Sequence, residues 1–263
     1  MKLGVSYNVF DGEELLEGSI RCIREEVDYI SVVYQTTSNY NHPCSPNLEA
    51  HLIYLKSIGL IDEILKYTPK IFSRDRHNAS YNECEKRNIG LELSRNNVCT
   101  HHMSMDCDEF YILEQFKYMK EVIVEHDYEL TICHFQNYYK DFIWLIKDSN
   151  IGSYVTTIFK IFDNTEFIYK LKNLPVPVDP TRRIDNKNFF IFDQSKLKMH
   201  HATLIRKNIR SKLLNSSYRK HGLRNMEKII SYYDSWEYPE PALLLTGKLA
   251  DVIKVERLFK IAE

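Results

Sequence analysis

The chain has 263 residues, 44% of them hydrophobic, and a formal net charge of −1. That length suits one large α/β domain, or one domain with a small extension, and supports a sizeable core. The near-zero charge excludes a global pull on nucleic acid or anionic lipid, and no run reaches the ~18 apolar residues of a membrane span.

Residues 3–10 predict a first strand. Asp11 is placed to cap the next helix, Glu13 and Glu14 fall in its first turn, and Leu16, Ile20, Ile23 and Val27 mark its buried face. A second strand is expected over 29–34, then a polar loop over 35–42. Ser45-Pro46 opens a helix that Gly59 closes. Residues 61–65 read as a short helix and 69–72 as a short third strand. A polar stretch over 73–80 precedes a helix over 81–94, which leads into a buried strand from Val98. The β-α-β-α-β-α-β alternation implies a parallel, doubly wound sheet.

The pattern then shifts towards a mixed sheet. A helix over 115–126 is followed by long strands over 128–139 and 154–162. The proline-rich segment 174–180 cannot be helical. Short strands are expected over 189–192 and 196–200, and helices over 202–220, 223–233 and 243–261. The six cysteines form no C-x-x-C pair and read as reduced thiols of a cytosolic protein without a signal peptide. The 18 tyrosines and 13 phenylalanines fit half-buried sheet positions better than a stacking surface.

The chemistry gathers where the Val98 strand closes on Met105-Asp-Cys-Asp-Glu-Phe110. In an open α/β sheet, ligands bind beyond the carboxyl ends of the strands. Asp106 and Asp108 there suit a hard divalent cation that also holds phosphate oxygens. About one Asp-x-Asp arises by chance in a chain this long, so a solvated acidic turn is the plain alternative. An aspartyl phosphatase places this motif after the first strand and follows it with small residues, unlike Glu109-Phe110 here.

Later segments bear on the same chemistry. His200 and His201 precede Arg206, Lys207, Arg210 and Lys212. Imidazole completes a carboxylate metal site, and cations neutralise a diphosphate leaving group; the alternative is a basic surface helix. Asp179, flanked by prolines, is a candidate general base or a turn cap. Tyr7, Asn8 and Phe10 end the first strand, and Gln35, Ser38 and Asn39 follow the second, at the sheet edge where a nucleotide enters. Asn82, Lys86 and Arg87 share a helix face that reaches towards base, ribose or phosphate, or faces solvent.

Four segments together resemble the glycosyltransferases of the GT-A fold, the family-2-like transferases in particular, with chlorovirus capsid glycosyltransferase domains as similar examples. They are Val5-Ser-Tyr-Asn-Val-Phe-Asp-Gly-Glu-Glu14, Met105-Asp-Cys-Asp-Glu-Phe110, Val178-Asp-Pro-Thr-Arg-Arg183 and Met199-His-His-Ala-Thr-Leu-Ile-Arg206. The resemblance implies a doubly wound mixed sheet with a Rossmann-like first half. Residues 1–215 would be the transferase domain, with a nucleotide-binding half over 1–111 and an acceptor half over 112–215, and 216–263 a helical extension.

It further implies a nucleotide-sugar donor, most often a UDP-sugar, and a glycan, glycolipid or glycoprotein acceptor. Nucleic acid is not an expected partner, and any membrane contact is peripheral. Mn²⁺ or Mg²⁺ is expected on Asp108, with Asp106 on ribose or metal and His201 completing the site ahead of His200. Tyr7, Asn8, Phe10, Gln35, Asn82, Lys86, Arg87, Asp106 and Arg206 are expected at the donor. Transfer would invert by direct displacement, with Asp179 as base. The chain departs from the family in having Gln35-Thr-Thr-Ser where acids are common, and in lacking a Glu-Asp base dipeptide. Two alternatives are a nucleotidyltransferase, which needs a Gly-rich basic loop absent after the first strand, and a non-catalytic sugar-binding module.

Overall fold

Alternating strands and helices build the first half of this computed structural model, which describes residues 1–70, 76–147, 152–216 and 223–260. They run β1 (Leu3–Val9), α1 (Glu13–Ile23), β2 (Tyr29–Tyr34), α2 (Leu48–Ser57), β3 (Glu63–Lys66), α3 (Arg76–Asn96) and β4 (His101–Asp106). All residues of β1 and β2 are buried, as in parallel strands covered on both faces. The four strands lie parallel in the order β3-β2-β1-β4. The winding reverses between β1 and β4, which opens a crevice at their carboxyl ends. Asn8 and Asp106 face each other in register there. Helix α3 sits directly on β1, because Gly90 carries no side chain: a Cβ on it would lie 2.0 Å from Ser6 Oγ.

The second half adds β5 (Glu109–Phe110), α4 (Leu113–Glu125), β6 (Leu130–Tyr139), β7 (Asp141–Ile146), β8 (Tyr154–Lys160), β9 (Phe189–Ile191) and β10 (Lys198–Leu204). Then come α5 (Ile209–Asn215), α6 (Leu223–Ser235), β11 (Ala242–Leu243), β12 (Leu249–Ala250) and β13 (Val252–Lys254). Strand β8 joins β4 antiparallel, and β6, β7 and β13 follow outward, each antiparallel to its neighbour. Strand β10 lies parallel to β6 and antiparallel to β5. The sheet is therefore mixed, with the expected doubly wound first half. The main core holds Leu16, Ile20, Leu52, Phe116 and Met119 against β1, β2 and β4. A second cluster joins α5 and α6 to β6, β7 and the C-terminal strands through Tyr139, Leu213, Tyr233 and Trp236.

Several local expectations are corrected. The segment 61–65 is strand rather than helix from Glu63 onward, because it pairs with β2. Residues 69 and 70 lie outside any strand, and 71–75 fall outside the described residues. Asp11 does not cap α1; Gly12 occupies that position in the left-handed conformation, with no side-chain cap bond. The helix expected over 202–220 is strand up to Leu204 and helix only over Ile209–Asn215, and its last expected residues, 217–220, lie outside the described residues. The helix expected over 243–261 is replaced by β11, β12 and β13, with residue 261 not described. Strand β7 was not anticipated. Tyr138, Tyr139 and Trp236 are buried, and Trp144 stacks on Tyr238 at 4.7 Å. Among the described residues, no helix is long and apolar enough to cross a membrane.

Candidate active site

The acidic turn joins β4 to β5 at the crevice. Strand β10 holds it in place: His201 pairs with Glu109, and the Ala202 N–H donates to the Asp108 carbonyl at 2.7 Å. Successive strand residues face opposite sides of a sheet, so His200 and His201 part company. His201 points its Nε2 at Asp108 Oδ1, 3.7 Å away, while its Nδ1 meets Asn137 Oδ1 at 2.9 Å. His200 is buried beside Phe259, with Nδ1 bonded to the Tyr138 hydroxyl at 2.7 Å. Its burial lowers its pKa to about 3. The expectation of His200 as a metal ligand is corrected by this placement.

Four cations surround three carboxylates. Asp108 is buried and bonded to Arg206 and, at 3.0 Å, to Lys212. Burial acts to raise its pKa, but Lys212 and Arg206 outweigh it and hold the carboxyl well below the usual range. Asp106 pairs with Arg182 at 2.7 Å and Arg87 at 3.1 Å. Burial opposes ionisation there too, and the two arginines hold the acid below its ordinary value. Glu109 is buried and clamps the Arg182 guanidinium, accepting at 3.0 Å from Nη1 and again from Nη2. Burial pushes its carboxyl up, against the pull of Arg182.

Of three cavities that reach this turn among the described residues, two are lined by both of its aspartates. The smaller, about 150 Å³, lies at the carboxyl ends of β1, β2 and β4, with Asn8, Gln35, Asn39, Lys86 and Arg206 in its wall. Both amide atoms of Asn8, Oε1 of Gln35, and Nε and Nη1 of Arg206 are buried and find no hydrogen-bond partner among the described residues. Such groups are costly in a folded protein, and together they suit a polar ligand that would pair them. The larger cavity, about 590 Å³, opens on the other side, walled by Phe135, Tyr154, Asp179, Arg182, His201 and Leu245. Asp106 and Asp108 line both cavities.

The remaining expected residues are placed as follows. Phe10 lines the small cavity. Tyr7 does not: it is fully buried in the core, with its hydroxyl 3.1 Å from Ser19 Oγ, which corrects its expected donor role. Lys86 is buried beside Glu83 at 3.0 Å. Asn82 lies behind the wall and braces Asn39, donating to its Oδ1 at 3.0 Å. Arg87 reaches Asp106 from α3 and also bonds Ser104 Oγ at 2.7 Å. Asp179 is exposed, and its Oδ1 accepts from the Thr181 N–H at 2.7 Å and the Thr181 hydroxyl at 2.6 Å. Glu109, Asn137, Thr181 and Leu245 were not foreseen, because each owes its place to partners distant in sequence.

Among the described residues, no three His, Cys, Asp or Glu side chains cluster as a metal cage. The 3.7 Å between Asp108 Oδ1 and His201 Nε2 exceeds a hydrogen bond. It lies within the span of two ligands that each sit ~2.1 Å from one small cation. Divalent ions at phosphate sites commonly use one or two protein donors, with phosphate and water in the other positions. The donor pair fits such an ion.

No family model matches the sequence, and no curated protein does. Solved structures similar to the chain include TarS 1–349 of S. aureus, at 12% identity, a TM-score of 0.47, and coverage of 82% of this chain and 66% of that one. TarS 1–349 in complex with UDP-GlcNAc matches at 11% identity and a TM-score of 0.47, over 89% of this chain and 73% of that one. S. aureus TarS itself gives 10% identity and a TM-score of 0.48, and the match spans 44% of its length. The architecture of the chain rests on its own strand order rather than on these likenesses.

Proposed function

We propose that the chain is a metal-dependent glycosyltransferase of the GT-A type that moves a sugar from a nucleotide-sugar donor, a UDP-sugar, to a hydroxyl of a glycan, glycolipid or glycoprotein. One observation carries the reading. A polar cavity at the switch point holds buried amide and guanidinium atoms without partners among the described residues, beside an acidic turn ringed by four cations. A nucleoside diphosphate supplies the missing acceptors and donors and the missing negative charge. The larger cavity beyond the turn is the acceptor's place. The likeness to chlorovirus domains remains one of sequence motifs, which fall within residues 1–215, while the sheet that carries the site continues to β13.

The reaction is a single displacement. Asp179 accepts the proton of the acceptor hydroxyl, whose oxygen bonds to the sugar C1. The bond from C1 to the β-phosphate oxygen breaks, and its electron pair leaves with UDP. Attack opposite the leaving group inverts C1, and Asp179 then gives its proton to water. Arg206 and Lys212 stabilise charge that grows on the diphosphate. Asp108 and His201 would hold the cation, which supplies Lewis-acid stabilisation of the same charge. An imidazole donor favours Mn²⁺ over Mg²⁺. A glycolipid acceptor would bring the chain to a membrane surface from the cytoplasmic side.

Calorimetry with UDP, GDP, CDP and dTDP, each with Mn²⁺ and with chelator, tests the reading. UDP binding that needs the metal and is lost in Asp108→Asn is expected. Failure of all four nucleotides to bind would overturn the donor site.

A further inference from the structure

One hydroxyl links the loop that carries Asp179 to the acidic turn. Thr181 Oγ1 lies 2.6 Å from Asp179 Oδ1 and accepts from Arg87 Nε at 3.3 Å. Arg87 continues to Asp106, its Nη2 lying 3.1 Å from Oδ1 and 3.3 Å from Oδ2. Chemistry fixes the direction of this chain. A guanidinium only donates, and a hydroxyl has one proton to give. Thr181 must therefore accept from Arg87 and spend its proton on Asp179. The Thr181 N–H bonds the same carboxylate oxygen. That leaves Oδ2 as the oxygen on which an incoming proton can settle.

A local turn needs only the two bonds from Thr181 to Asp179. The bond to Arg87 comes from 94 residues away, and Thr181 and Arg87 are both buried while Asp179 is exposed. A second fastening runs beside it: Arg182, whose N–H donates to the Asp179 carbonyl at 3.0 Å, holds Asp106 through its guanidinium. We infer that Thr181 is a positioning residue, whose hydroxyl aims the Asp179 carboxylate and ties the base to the donor-side carboxylate Asp106. This rests on Asp179 being the base. Side-chain geometry of this kind is worth up to about 100-fold in rate per ångström of misplacement.

The test needs no knowledge of the natural acceptor, since a placed base also activates water. UDP release from UDP-GlcNAc, UDP-glucose and UDP-galactose with Mn²⁺ is measured, and the fastest donor is kept. Thr181→Val removes the hydroxyl and keeps the shape; Thr181→Ser restores the hydroxyl. We expect Thr181→Val to lower kcat about 10- to 100-fold with UDP affinity within about twofold, and Thr181→Ser to recover most of the loss. In an Asp179→Asn background, Thr181→Val should add no further loss, which a purely structural role would not predict. Thr181→Ala serves in place of Thr181→Val if the latter folds poorly by circular dichroism.

An unchanged kcat in Thr181→Val, an equal loss in Thr181→Ser, or a further loss on the residual turnover of Asp179→Asn overturns the inference while the base reading stands. Full turnover in Asp179→Asn, or no release from any donor by the unaltered chain, overturns the base reading itself.

Discussion

Replacing Glu109 by leucine would strand a buried cation. Arg182 makes its polar contacts with Glu109 through Nη1 and Nη2, with Asp106 at 2.7 Å and with the Ser104 carbonyl at 3.4 Å. Glu109 provides two charge-assisted bonds, each worth about 1.5–3 kcal/mol. Removing one member of a buried ion pair costs about 3–5 kcal/mol. The two figures agree, and the lower half of the range applies because Asp106 still faces Arg182. A loss of about 3–4 kcal/mol is a large part of the 5–15 kcal/mol that a folded domain has in total. Urea unfolding followed by circular dichroism reads it as a lower midpoint at unchanged slope. The double variant Glu109→Leu, Arg182→Met removes both charges and should recover most of the stability. A single variant that loses less than about 1 kcal/mol, or a double variant no better than the single, would refute the view of Glu109 as the counter-charge of Arg182.

Two further outcomes are expected. Gly12 has φ +76°, and a Cβ on it would lie 1.7 Å from Arg206 Nη1; Gly12→Ala should push Arg206 aside and weaken UDP binding about 10-fold or more, the worth of a charge-assisted bond. Unchanged calorimetric affinity would remove Arg206 from the donor site. His102 is fully buried between Ser94 and Phe159, and burial first, then Arg95 and Arg87, lower its pKa to about 3. The unfolded imidazole titrates near ~6.5, so the unfolded chain binds the proton more readily. Its contribution to stability is complete above pH ~6.5 and falls by about 1.4 kcal/mol per unit of pH as acid is added towards pH 3, and the buried His101 and His200, whose values are also lowered, add slopes of the same sign. His102→Asn should make the slope shallower by about 1.4 kcal/mol per pH unit, read from urea unfolding between pH 6 and 5; an equal slope in both proteins would count against the buried neutral imidazole.

The parallel half was legible because its signals are local. Leu16, Ile20 and Ile23 recur at helical spacing, and β1 and β2 are short runs rich in apolar and β-branched residues that alternate with helical segments. Residues 61–65 misled because Ile61, Ile64 and Leu65 fit a helix as well as a strand, and only pairing with β2 decides between them. The C-terminal segment failed for the same reason: Val252, Ile253 and Lys254 are strand because β7 offers its edge. In the site, Asp106 and Asp108 are visible as two carboxylates, one residue apart, at the end of a buried strand. Tyr7 was misassigned because its neighbour Asn8 faces the crevice while Tyr7 itself faces the core. The pairing of Glu109 with Arg182 spans 73 residues, and no sequence spacing announces it. The same holds for Thr181 and Arg87.

The two adjacent histidines of β10 bring out a consequence of parity. His201 is opposite the acidic turn and His200 opposite the aromatic core only because β10 pairs with β5 and β6 in one register. A strand that slips by one residue turns every side chain over. His200 would then meet Asp108, and His201 would be thrust among Tyr138 and Phe259. A slip of one residue therefore exchanges the faces of the two histidines without changing either. That slip would leave the composition of the site almost intact and still dismantle it.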